Sequence, residues 1–394
     1  MHPNPPDFSD AQVDLDLLRQ RAYNLRWAEV PADTIALTAA DPDFPVAPEI
    51  RAAIQEYTAG GYFSYGPAEG LPEFREVIAE TMRSRKDIPC TAGTVLPTNS
   101  AAFAMFMVAR YALQPGDEAI IFDPVDFLFQ RSVEAAGGTV RRCPLDAEGR
   151  FDPAALEALV TPRTRMIGVC NPHNPTGHVL RKAELEAIAA VALRHELWIM
   201  DDCIWSDIIF APQVHRCMAS LGPEVAARTF SVFGFSKSFG LAGLRVGFVV
   251  APDAKVFDEL VELSLVRTTA FGVATLSQVA GIAAYRECWY WAEAFLAHLQ
   301  GQRDYAVARL NAMEGVECHA PEGTYLLFPN VKAYGRSSMD IADHLRENAK
   351  VALVPGAARW FGPGAEGHLR ICFSTSRGIL EEGLNRMEAG LKSL

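Results

Sequence analysis

"FGFSKSFGLAGLRVGF", Phe233 to Phe248, sets one lysine, Lys237, among glycine, serine and apolar residues. A long cation is costly in such surroundings unless it is paired or put to use. The stretch leaves one apolar run, TFSVFG (229–234), and enters another, VGFVVAP (246–252), so Lys237 and Arg245 lie in the connection between two predicted strands. Working back from it, GTVLP (93–97), EAIIFD (118–123), GTVRRC (138–143), RMIGVC (165–170) and LWIMD (197–201) are further short apolar runs. Between them, AAFAMFMVARYAL (101–113), PAALEALV (153–160) and RKAELEAIAAVALRH (181–195) carry helical periodicity. Strands alternating with helices predict an α/β fold with a mostly parallel sheet covered by helices on its faces.

Both ends of the chain differ in texture from this middle. PEIRAAIQEYTA (48–59) and LPEFREVIAETMRSR (71–85) read as helices, and a long amphipathic helix is predicted over 287–313. After it come four short strand candidates: VECHA (316–320), TYLLFP (324–329), VALVP (351–355) and HLRICFS (368–374). The expected layout is a large domain over 48–285 and a smaller α+β domain built from 1–47 and 286–394.

The 394 residues suffice for two domains, and 49% apolar with 21% charged residues is ordinary for a soluble globular protein. A net charge of −12 argues against general affinity for nucleic acid or acidic membranes. The sequence shows neither an 18-residue apolar run nor a basic, apolar N-terminal leader, so a cytoplasmic location is expected. The eight cysteines are scattered without a C-x-x-C pair and the nine histidines are dispersed, which predicts reduced thiols and no metal.

Open parallel sheets bind ligands beyond the carboxyl ends of their strands, and several unusual segments fall there. TNSAAFAMF (98–106) opens a helix at Ser100, Ala101 and Ala102, whose backbone N–H groups suit a phosphate, or are simply capped by Ser100. CNPHNPTGHVL (170–180) reads as a rigid turn. LWIMDDCIWSD (197–207) ends a strand on two carboxylates, one of which needs a cationic partner if both are buried. Arg245, beside an apolar strand, suits a carboxylate or a phosphate. A dinucleotide site is disfavoured, because no G-x-G-x-x-G follows a strand.

NPHNPTG, FSKSFGLAGLRVG and HLRICFS stand in the order found in fold-type I pyridoxal-phosphate enzymes, and from about residue 35 onward the chain resembles class I/II aminotransferases. The resemblance implies pyridoxal 5'-phosphate as cofactor, with Lys237 as the Schiff-base lysine and catalytic base. It implies Asp202 at the pyridine nitrogen, Asn174 at the phenolic oxygen, and Ile204 against the ring. Ser100, Ala101, Ala102, Ser236 and Arg245 would hold the phosphate, and Tyr65 would reach the partner's site in a homodimer. Arg370 would grip the substrate α-carboxylate with Asn174, beside Ala40.

Two positions depart from the family pattern. Trp205 stands where a tyrosine usually bonds the phenolic oxygen, and Asp126 stands where an aromatic usually stacks on the cofactor. Phe127 or Phe129 would then stack, or Asp126 would face the substrate, opening the site to a basic side chain. Tyr62, Phe63, Trp205 and Tyr325 are candidates for an apolar or aromatic pocket, and Arg267 for a second carboxylate. The activity implied is amino transfer between an amino acid and a 2-oxo acid. The alternatives are a carbon–sulfur β-lyase, favoured by ADPDFPVAPEI (40–50) and DCIWSD (202–207), and a non-catalytic regulator. The latter is disfavoured because the segment before residue 35 is too short for a winged helix.

Overall fold

A computed structural model describes residues 5–394; the first four residues of the expected small domain lie outside it. Near the N-terminus lies β1 (Ile35–Ala36). β2 (Val95–Thr98), β3 (Glu118–Asp123), β4 (Thr139–Pro144), β5 (Thr164–Cys170), β6 (Trp198–Asp202), β7 (Thr229–Gly234) and β8 (Gly247–Val250) form one sheet in the order 2-8-7-6-5-3-4. β8 alone in this sheet runs opposite to the other six strands. It therefore starts at the edge where the other strands end, which is how Arg245 comes to share an edge with residues that follow β2, β3, β5, β6 and β7.

Alternation along the strands sorts neighbouring residues onto two faces. Ile121, Met166 and Met200 pack with the Ala101–Ala112 helix, while Ile120, Ile167 and Ile199 pack with Leu185 and Ile188 of the Lys182–Arg194 helix. All six are fully buried, each contributing about 1.5–3 kcal/mol of apolar burial. Burial on both faces is why these strands read as unbroken apolar runs. β4, at one edge, is the polar exception.

Toward the C-terminus, β9 (Leu326–Leu327), β10 (Val351–Ala352), β11 (Val354–Pro355) and β12 (Leu369–Cys372) are shorter. β10 pairs in parallel with β1, so the N-terminal segment is stitched to this end of the chain. β11, β12 and β9 make a separate three-stranded sheet.

Three expectations need correcting. VALVP is two strands, because Leu353 separates a pairing with β1 from a pairing with β12. VECHA forms only an isolated bridge, Glu317 to Asn330. Asn311 takes both backbone groups of Cys318 at 2.8 and 2.9 Å, leaving no ladder to extend. Three helices, Phe127–Ala135, Ala254–Ser264 and Thr275–Glu287, carry segments that the sequence reading left without structure. Among the described residues no helix is long and apolar enough to cross a membrane.

Candidate active site

A cavity of about 580 Å³ opens at the carboxyl edge of the large sheet. Ser100 caps the Ala101–Ala112 helix there, its Oγ accepting the Phe103 N–H at 3.1 Å. Ala104 N–H goes to Ser100 O, so the first-turn amides of Ala101 and Ala102 are left for a ligand at the positive end of the helix. A Cβ on Gly247 would lie 2.8 Å from Ala101 N and 2.9 Å from the Ser100 carbonyl carbon. Glycine thus lets β8 lie directly against this helix start. Ser236 and Arg245 line the same cavity; Arg245 is exposed, and its side chain has no hydrogen bond or ion pair to another described residue.

Lys237 follows β7 and donates from Nζ to Ala40 O at 2.5 Å, with Nζ 5.4 Å from the centre of the Trp205 ring. Burial holds its ammonium below the ordinary range; Asp41 opposes this and Arg370 reinforces it. Asp202 ends β6, accepts the Ile204 N–H at 3.2 Å, and makes no ion pair among the described residues. Burial pushes it up to about 7, despite that bond and the Lys237 charge. Asp201 points to the opposite face and accepts the Met218 N–H. Among the described residues, the expected cation is thus absent from direct contact with either carboxylate.

Asn174 is held by the turn after β5, where the His173 N–H donates to His178 O at 2.8 Å. Its amide joins two charges: Nδ2 donates to Asp126 at 2.8 Å, and Oδ1 accepts from Arg370 at 3.3 Å. Arg370, on β12, is 8% exposed, donates to Thr38 O at 3.3 Å, and has a buried Nε without partner. It forms no salt bridge among the described residues, so it is not the surface ion pair that an arginine in a strand often makes.

Asp126 lines the cavity but is occupied, capping the Phe127–Ala135 helix through the Leu128 N–H at 3.0 Å. Burial pushes its carboxyl upward. Of the two rings proposed to replace the missing aromatic, Phe129 packs against Gly168 in the core, while Phe127 sets its edge against Trp360. Ile204, Trp205 and Ala40 also line the cavity, and Tyr325 stands behind, its ring 4.7 Å from Trp205 and its hydroxyl on Ala40 O.

Four sequence candidates lie elsewhere. Tyr62, Phe63 and Tyr65 are 84, 68 and 89% exposed, and Tyr65 packs on Phe271 beside a second hollow. Arg267 is taken by Glu69 and Glu262. Conversely, sequence reasoning missed Asn24, Leu25, Glu29, Trp360 and Phe361, which also line the cavity. Asn24 and Leu25 are both left-handed (φ 65° and 62°), a conformation costly for leucine and held here by the Leu25 N–H bond to Glu29 at 2.6 Å.

These features form a test for pyridoxal 5'-phosphate. Free helix-start amides with Ser236 and Arg245 suit its phosphate, a buried carboxylate without a cation suits its ring nitrogen, and a half-buried lysine without an ion-pair partner suits its aldehyde. The residues present fit.

A family model for aminotransferase class I and II matches residues 32–387. The chain is 33% identical to an aspartate aminotransferase of Pyrococcus horikoshii over 91% of both chains. It is 27% identical to a PLP-bound putative aminotransferase from Clostridium difficile 630, with a TM-score of 0.88 over 95% of this chain and 97% of that one. It superposes on cystalysin from Treponema denticola, which contains pyridoxal 5'-phosphate, with a TM-score of 0.90 over 98% and 99% of the two chains; at 22% identity this shows a shared fold.

Proposed function

The chain belongs to the aminotransferase class I and II family, and on that premise we propose how its own residues move an amino group between an amino acid and a 2-oxo acid. The protein is a pyridoxal-phosphate-dependent aminotransferase of fold type I. One observation carries the assignment of roles: Lys237, half-buried, and Arg370, buried, line one cavity, and neither is ion-paired to a carboxylate among the described residues. Buried cations without counter-charge are costly, so room for a ligand's charge is the economical reading.

Pyridoxal 5'-phosphate, when bound, supplies an aldehyde for Lys237 and an electron sink for the pair released at the substrate Cα. Ala101, Ala102, Ser100, Ser236 and Arg245 would hold its phosphate, and Asp202 would keep a proton on its ring nitrogen. Ile204 would pack on the ring, and Trp205 would donate its indole N–H where the family more often has a tyrosine hydroxyl. Arg370, oriented by Asn174 and Thr38 O, would take the α-carboxylate through its planar fork. Lys237 Nζ would then remove the Cα proton as general base and deliver a proton to the cofactor's C4′ as general acid, helped by an amine already biased toward its neutral form.

For the substrate side chain we propose an apolar or aromatic group. Leu25, Phe127, Trp360 and Phe361 wall the cavity, Asp126 is tied up by Leu128 and Asn174, and Arg267 is committed to glutamates. The sequence division into domains 48–285 and 1–47 with 286–394 is retained as a proposal. So are a cytoplasmic location and a homodimer in which exposed Tyr65 reaches the partner's site.

The test follows the visible absorption of the purified protein loaded with pyridoxal phosphate. Phenylalanine or leucine should bleach its yellow band and a 2-oxo acid should restore it, more readily than aspartate or arginine. A preference for aspartate would overturn the side-chain proposal. Pyruvate and thiol released from thioether amino acids without any oxo-acid acceptor would overturn the assignment of roles in favour of β-elimination.

A further inference from the structure

Three soft or borderline donors that the sequence scatters over 203–217 meet behind the cofactor cavity. Cys203 directly follows β6, while His215 and Cys217 lie on the loop leading to Met218–Leu221. One ligand atom from each lies within 4.8 Å of the others. Cys203 Sγ and Cys217 Sγ are 3.6 Å apart, and Cys217 Sγ is 4.0 Å from His215 Nδ1. Sulfur and nitrogen bound tetrahedrally to Zn²⁺ at about 2.3 and 2.0 Å would be separated by about 3.8 Å (S to S) and about 3.5 Å (S to N). The two Cys217 separations are within about half an ångström of these values, and the third pair, Cys203 with His215, lies within 4.8 Å, so movements of up to about 1 Å would close the set around one ion.

The histidine is oriented for this role. Its Nε2 faces Asn171 O at 3.0 Å, and a carbonyl only accepts, so Nε2 carries the proton and Nδ1 keeps its lone pair toward the thiol. Cys203 N–H is bonded to Val232 O at 2.9 Å and Met218 N–H to Asp201 at 2.8 Å, which fixes both arms of the loop. Asp201, two residues before Cys203, is fully buried and has one carboxylate oxygen without a hydrogen-bond partner beside this set. An approach exists: His215, half-buried, lines a surface hollow of about 320 Å³.

We propose that Cys203, His215 and Cys217 bind a thiophilic d¹⁰ cation, Zn²⁺ or Cu⁺, separate from the cofactor. Binding forms two metal–sulfur bonds and one metal–nitrogen bond and releases both thiol protons to solvent. Because Cys203 stands between Asp202 and Ile204, the ion braces the segment that lines the cofactor cavity.

The experiment titrates the reduced, chelator-stripped holoenzyme with Zn²⁺ in competition with a chromophoric zinc chelator, and repeats it with Cu⁺ and a copper(I) chelator. One equivalent per chain is expected for at least one of the two ions, bound at least about 100-fold more weakly in Cys217→Ser and in His215→Ala. Both variants are checked for retained pyridoxal-phosphate absorption, so that loss of metal binding is read in folded protein. Wild-type protein that binds neither ion more tightly than Cys217→Ser overturns the proposal. So does a reduced protein that binds neither ion while Cys203 and Cys217 close to a disulfide on oxidation, which would make them a redox pair instead.

Discussion

Two groups of charge, buried or half-buried, face the same N-terminal loop and are handled in opposite ways. Arg26, 1% exposed, is ion-paired to Asp43 through Nη2 and bonded to Ala39 O, and Asp43 also accepts the Trp27 indole N–H at 2.7 Å. Burial disfavours the Arg26 charge, but Asp43 more than restores it, and its pKa rises. A few ångströms of chain away, Lys237 reaches the Ala40 carbonyl and Arg370 the Thr38 carbonyl, neutral groups both, and burial lowers the pKa of each cation. The first group shows that this fold can supply a carboxylate to a buried cation. That it supplies none in direct contact with Lys237 or Arg370 is the physical mark separating a structural clamp from a site kept open for a ligand's charge.

The sharpest way to break this comparison is to remove one cation from each group. Lys237→Ala should lower turnover by at least about 10⁴-fold, since one amine serves as both proton acceptor and donor. It should leave the melting temperature of the cofactor-free protein unchanged or higher, because a desolvated charge is gone. Steady-state rates and a thermal melt on the same preparation check both halves. A variant retaining a hundredth of the wild-type rate would remove Lys237 from the proposed chemistry.

Asp43→Asn is the mirror experiment, with the next largest effect. It leaves Arg26 charged and buried with no counter-ion, which in comparable settings costs about 3–5 kcal/mol. The melting temperature should fall by several degrees, and activity should suffer mainly because Asn24, Leu25 and Glu29 lose their anchor at the cavity wall. A variant as stable as the wild type would show that the two groups do not differ in the way their contacts suggest.

How much of this was legible beforehand follows from where each contact comes from. β3 and β5–β8 were readable because they are buried on both faces and end at turns. Asp202 was readable because it ends one of those strands, and Asn174 and Lys237 because each stands a few residues past another. Leu25 and Phe361 were not, since their place on the cavity depends on pairings such as Arg26 with Asp43 and β1 with β10. Asp126 was singled out as an anomaly, but its role as a helix cap required knowing that a helix begins at Phe127. Nor does spacing alone join Cys203 to His215 and Cys217, because no short motif spans the loop that brings them together.

A third buried charge, close to the site in sequence, sharpens the comparison by pH. His178 is 8% exposed and lies between two carboxylates, with Nε2 3.0 Å from Glu184 and Nδ1 3.2 Å from Glu322. Burial disfavours its imidazolium, but Glu184 and Glu322 outweigh burial and raise its pKa to about 9 from 6.5. His173, five residues earlier, is buried without a carboxylate partner, and burial with the His178 charge pushes its pKa down to about 3. A pKa raised by folding contributes stability that is fully present below about pH 6.5 and lost as the pH rises through about 9. The contribution is at most about 3 kcal/mol. The wild-type melting temperature should therefore decline across that interval, and His178→Gln should flatten the decline while lowering stability chiefly at the acid end. A slope that survives the substitution would assign the titration to another group and leave His178 neutral between its two glutamates, an arrangement that would cancel its likeness to the Arg26 clamp.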